Sequence, residues 1–166
     1  MNFLILSKTG FRVSIIGALV LTSLLALPGL LPAQTGACAL VQAGDASALL
    51  GGTATSKPTP EGMACIWTGS AVGRKLMVLT YKNSRAPGEM AFMGAHQGAQ
   101  AEQNNKVSDE SGLGDKAFSA TTSFGAIFFV LKKGRLLQLQ FITGNQGTDQ
   151  DVKALRPIAQ KAAAAF

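Results

Sequence analysis

Ala126–Ile142 reads AIFFVLKKGRLLQLQFI, and the fold class follows from it. Six apolar residues, Ala126 to Leu131, run into Lys133-Gly134, which fits a tight turn, and Leu136 to Ile142 then returns. Strands joined this closely run antiparallel, because a parallel pair needs a crossover of about a dozen residues or more. The first strand is apolar throughout. The second alternates: Leu137, Leu139 and Phe141 point one way, Gln138 and Gln140 the other, so one of its faces is partly wet.

Outward from this hairpin the same reading repeats. Lys116 to Ala120 is a further strand, preceded by the polar stretch Asn104 to Asp115. That stretch contains Gly112-Leu113-Gly114-Asp115, which lacks a P-loop lysine and the dinucleotide glycine spacing and reads as a tight turn into the strand. Pro87 stands where a first-turn proline would, and Gly88 to about Gln103 forms an amphipathic helix with Ala91, Phe92, Ala95 and Ala99 as its buried stripe. Its three glycines make it weak on propensity, so packing must hold it. Leu76 to Tyr81 is apolar on both faces, as in a central strand covered on each side. Met63 to Thr68 is a strand with Cys65 and Trp67 on one side, and Thr53 to Ser56 a weaker one before a turn at Lys57-Pro58-Thr59-Pro60.

Asp45 can cap a short helix carrying Ala46, Leu49 and Leu50, ended by Gly51-Gly52. At the other end Thr148 or Asp149 opens a last helix with Val152, Leu155, Ile158 and Ala159 on one side, which Pro157 should kink or split. The order α-βββ-α-βββ-α predicts an α+β domain: a largely antiparallel sheet of five to six strands with three helices packed on it.

Before this domain, Lys8 and Arg12 precede a run from Val13 to Leu27 with no ionisable side chain, a basic segment followed by an apolar one, as in a signal peptide. Pro28-Gly29 breaks the run and Leu31-Pro32-Ala33 places a small residue for cleavage. Residues 1–33 are read as the leader and 34–166 as one exported domain, periplasmic or secreted. Two alternatives stay open. The leader could be retained as a membrane anchor, being just long enough if counted to Leu31; Cys38 could be lipidated, although Thr35 stands where a lipobox has a branched aliphatic residue. The formal charge of +6 falls to +4 once Lys8 and Arg12 are removed, mildly basic and not a nucleic-acid footprint. Cys38 and Cys65, the two cysteines, are expected to pair in an oxidising compartment; free thiols and a soft-metal pair are the alternatives.

Cys38, Leu49-Leu50-Gly51-Gly52, Cys65-Ile66-Trp67, Gly112-Leu113-Gly114-Asp115 and the closing helix from Leu155 to Ala162, in that order, resemble a group of small bacterial exported proteins and lipoproteins of unknown function. More distantly the chain resembles the sandwich of the PsbP and Mog1 type and the extracellular sensor domains of some bacterial kinases. The resemblance implies a fold and a location, and no catalytic residues or cofactor.

Chemistry-bearing residues are few. His96 is the one histidine, with no nucleophile elbow near it in sequence. Asp109 and Glu110 fall in the polar stretch and Asp149 and Asp151 at a helix start, where capping and solvation account for them. Met90, Met93 and His96, three residues apart along a helix and off its buried stripe, have the soft donors that suit Cu(I). Arg74, Lys75, Lys132, Lys133 and Arg135 lie at hairpin ends; on a shared rim they could meet an envelope protein, an anionic lipid surface or a cell-wall polymer. The expected function is a non-enzymatic exported binding domain, its contact surface near Trp67, Tyr81 and the Gln138/Gln140 strand. The alternatives are a copper-handling protein, an envelope enzyme with a site hidden in the linear sequence, or a structural envelope component.

Overall fold

In the computed structural model, which describes residues 36–81 and 88–166, the hairpin sits at the centre of a seven-stranded antiparallel sheet. The strands are β1 (Thr55–Pro58), β2 (Ala64–Thr68), β3 (Lys75–Tyr81), β4 (Val107–Glu110), β5 (Lys116–Thr122), β6 (Gly125–Lys132) and β7 (Arg135–Ile142). Their order is β1-β2-β3-β7-β6-β5-β4: a three-stranded and a four-stranded meander, joined where β3 meets β7. The helices are α1 (Ala43–Leu50), α2 (Gly88–Ala101) and α3 (Asp149–Ala165), with a 3-10 turn at Gly36–Leu40 leading into α1. The expected leader and Pro87 lie outside the described residues.

One face of the sheet is covered along its length. The 3-10 turn, α1 and α3 bury Cys65, Trp67, Leu76, Val78, Phe128, Val130, Leu137, Leu139 and Phe141 against Leu49, Leu50, Leu155, Ile158 and Ala159. The Cys38–Cys65 disulfide forms as expected and ties the 3-10 turn to β2, with Trp67 on the same face. The start of α3 is held by a reciprocal cap, the Thr148 hydroxyl accepting from the Asp151 N–H while Asp151 accepts from the Thr148 N–H. Its last turn is held by Lys132, whose Nζ donates to the carbonyls of Ala163 (2.6 Å) and Ala164 (3.2 Å), a cation at the negative end of the helix dipole.

The other face is covered over half its width. Phe92, Ala91, Ala95 and Ala99 of α2 pack on Phe118, Phe129, Leu131, Leu136 and Val107, all from β4 to β7. The rest, from β1 to β3 and the near side of β7, carries no helix among the described residues.

Several local expectations change. Val107–Glu110 is a strand, not part of a loop, so the second meander has four strands rather than three. Its polar sequence hides it: Asp109 and Glu110 are not merely solvated but paired with partners from α2 and α3. Asp45 does not cap α1, which begins after Gln42; it sits in the first turn and pairs with Lys161 of α3 at 2.6 Å. β1 begins two residues later than the expected Thr53 and takes in Lys57 and Pro58, two residues of the expected turn; an edge strand can accommodate the proline. Pro157 does not split α3, which is unbroken from Asp149 to Ala165; it lies on the exposed side, where water can satisfy the carbonyl it leaves without a donor.

Gly51 ends α1 at φ 75°, as the sequence implied. In the Gly112–Asp115 motif the glycine that matters most is Gly114, at φ 69° and so close to β6 that a Cβ would strike the Leu131 carbonyl. That approach lets Asp115 reach across, accepting from the Lys133 N–H at 2.6 Å and bracing the β6–β7 turn, where Lys133 itself holds φ 51°. The motif is a turn brace and not a phosphate loop.

Candidate functional site

Side chains on the uncovered half-face follow from the register. Directly opposed residues of adjacent strands share a face, so pairing produces rows across the sheet. One row is Lys57, Ile66, Met77, Gln140 and Ile127; the next is Ala64, Leu79, Gln138 and Phe129; a third, toward the β2–β3 turn, is Thr55, Thr68, Lys75 and Ile142. Ile66, Met77, Leu79, Gln138, Gln140 and Ile142 are all half-buried. The expectation is cover on both sides of β3; among the described residues helices cover one side, because α2 lies over the other meander.

Tyr81 closes this face at its far end. Its hydroxyl donates to Gln138 Oε1 at 2.9 Å. Around the corner, Thr59, Pro60, Met63, Ala64, Leu79 and Tyr81 line a mainly apolar hollow of about 340 Å³. Burial raises the Tyr81 pKa above the ordinary phenol value by disfavouring the phenolate. A raised folded-state pKa contributes stability that is present below pH 10 and lost as pH rises through the folded value. Since Tyr81 is the chain's one tyrosine, the ultraviolet phenolate band reports on it alone. That band is expected to titrate above pH 10 in the folded protein and to return toward 10 in urea; identical midpoints would place the phenol in open water.

The sequence-derived candidates separate. Trp67 is not part of the contact surface: it is 1% exposed, on the covered face, with no partner for its indole N–H among the described residues. Tyr81, Gln138 and Gln140 do come together. The five cations do not share a rim. Arg74 and Lys75 lie at the Ile142 end of β7 and Lys132, Lys133 and Arg135 at its other end, roughly 23 Å apart for eight residues at strand rise. Three of the five have intramolecular work. Lys132 caps α3, Arg135 donates to the Phe166 carbonyl at 3.0 Å and lies over its ring at 4.1 Å, and Arg74 lies over Phe141 at 5.6 Å.

Met90 and Met93 are exposed on α2, off its buried stripe as the helical spacing implied. Met93 and His96 line one small hollow with Asp109 and Lys116, while Met90 is not among its lining residues. His96 is engaged already, with Nε2 3.3 Å from Asp109 Oδ1 and its ring edge-on to Phe118 at 4.9 Å. Among the described residues no three His, Cys, Asp or Glu side chains are placed to hold a metal ion.

Sequence reasoning missed the ion pair of Glu110 and Arg156. Arg156 reaches from α3 to β4 and grips the Glu110 carboxylate with both terminal nitrogens, Nη2 to Oε1 at 2.7 Å, while Ser119 donates to the same oxygen at 2.6 Å. The Glu110 side chain is 3% exposed and that of Arg156 41%. No local signal marks this pair, since its members are 46 residues apart. With three donors directed at the carboxylate, two on Oε1 and one on Oε2, the arrangement is that of a clamp holding the edge strand to the helix.

Comparison of the chain with protein-family models, with curated proteins and with solved structures finds no match in any of the three.

Proposed function

We propose that the chain is an exported, non-enzymatic binding domain, and that its contact surface is the half-face of β1, β2, β3 and β7 that no described helix covers. The observation that carries this reading is the helix-free cluster of Ile66, Met77, Leu79 and Ile142 beside two glutamines at the middle of a seven-stranded sheet. A sheet face of this composition is normally buried against another layer. Completing the burial of each half-exposed aliphatic side chain contributes roughly 1 kcal/mol, while the amides of Gln138 and Gln140 supply orientation at little cost when left hydrated. Export is supported by the leader-like residues 1–33 and by a disulfide in the core, which favours an oxidising compartment.

A photo-crosslinking residue in place of Met77 tests the surface in the cells that make the protein. Adducts of defined mass are expected from Met77 and none from the same group at Lys153, on the exposed side of α3. Adducts from Lys153 alone would move the contact surface to the helical layer and overturn the reading.

A further inference from the structure

The charges on the open half-face say what would cover it. Its strand positions are Thr55 and Lys57; Ala64, Ile66 and Thr68; Lys75, Met77, Leu79 and Tyr81; and Gln138, Gln140 and Ile142, Leu136 lying under α2. Two are lysines and none is a carboxylate. Glu61 lies off the face, in the β1–β2 turn at the Tyr81 end. Lys57 and Lys75 are exposed, and neither forms an ion pair with any described residue. They flank Ile66 from its two sides. Two strands and two residues of register put their Cα atoms roughly 12 Å apart, with Ile66 and Thr68 between them and Met77 beside Lys75 on β3.

Resting on the contact surface proposed above, we infer that this half-face takes an amphipathic helical segment of another polypeptide, apolar along one stripe and acidic along its flanks. Three observations choose that occupant. The first is the neighbouring half-face, where α2 already shows how this sheet is covered: a helix laid on it with a stripe of Phe92, Ala91, Ala95 and Ala99. An aliphatic surface beside it on the same sheet suits a second helix of that kind.

Charge supplies the other two, because it excludes the occupants nearest to hand. A second copy of this chain, placed face to face, would bring lysines toward lysines with no carboxylate on either face to meet them. The chain's own residues 1–35 carry Lys8 and Arg12 and no acid, and so have the wrong sign. Acidic flanks on the incoming helix meet Lys57 and Lys75 and hold its stripe over Ile66, Met77 and Leu79.

The test uses the full chain as its own cells process it and two synthetic helical peptides with the same leucine and alanine stripe, one flanked by glutamates and one by lysines. Fluorescence anisotropy is expected to show the acidic peptide binding tighter by about tenfold or more at low salt, with the difference shrinking as salt screens it. The double substitution Lys57→Glu, Lys75→Glu, which alters two exposed side chains, is expected to reverse the preference. Equal binding of both peptides would sink the charge assignment while leaving the apolar contact surface standing. Binding of neither peptide, with concentration-dependent dimerisation or with attachment to phosphatidylglycerol vesicles, would replace the helical partner by a second copy or by a lipid surface. Binding of neither and no association of any kind, together with no adducts at Met77, would remove the contact surface itself.

Discussion

Replacing Cys38 and Cys65 together by alanine is expected to lower the unfolding free energy by about 3–4 kcal/mol. The link closes a loop of 27 residues, and the chain-entropy relation assigns a loop of that length about 3.6 kcal/mol at room temperature. Against a typical domain stability of about 5–15 kcal/mol this is a large fraction. Position adds to it, because Cys38 and Cys65 are both buried and the 3-10 turn they anchor covers one end of the core beside β1, β2 and β3. Urea unfolding of the variant measures the effect. Trp67, the chain's one tryptophan and on the same face as Cys65, gives a second readout: its emission is expected to shift to the red if the turn lifts off. A loss under about 1 kcal/mol would mean that packing alone holds the turn, with the unfolded chain hardly constrained by the link.

The second large effect is expected at Arg156. Arg156→Ala leaves the Glu110 carboxylate buried with a single donor, Ser119, and breaking a buried pair by removing one partner costs about 3–5 kcal/mol. The lower end applies here, since the guanidinium is 41% exposed and water can reach the vacated position. Arg156→Ala is expected to cost about 3 kcal/mol, and Glu110→Gln less, because the amide keeps an oxygen for Ser119 or Arg156. Replacing both residues by leucine is expected to recover most of the loss, as apolar pairs of similar size often replace buried ion pairs without penalty. A double-mutant cycle in urea separates these terms. Additive losses from Arg156→Ala and Glu110→Ala would show that the two side chains act independently, and that the clamp between β4 and α3 contributes nothing as a pair.

How far the residues foretold this molecule depends on which of them is followed. The run from Ala126 to Ile142 foretold its own hairpin and the wet side of β7, because alternation and a short connection are properties of adjacent residues. Thr148 and Asp151 foretold the start of α3 for the same reason. Val107–Glu110 foretold nothing: Ser108 and Asp109 are exposed, and the strand is held by pairing with β5 and by Arg156, neither of which its own residues encode. Leu76 to Tyr81 misled in the opposite direction. Its apolar residues on both faces imply cover on both, whereas no helix among the described residues covers the second face of β3.

By itself, then, the sequence determined what short range can determine: an antiparallel sheet, helices packed on it, and one disulfide between two cysteines. The tertiary structure alone decided that α2 lies over β4 to β7 and not over β1 to β3. It alone put Lys57 and Lys75 on one face around Ile66, sent Arg74 and Arg135 to opposite ends of the sheet, and joined Glu110 to Arg156. The physical reason is register. Which side chains share a face is set by pairing between distant strands, and which face stays open is set by where a helix finds its best apolar fit; both are sums over contacts far apart in the chain.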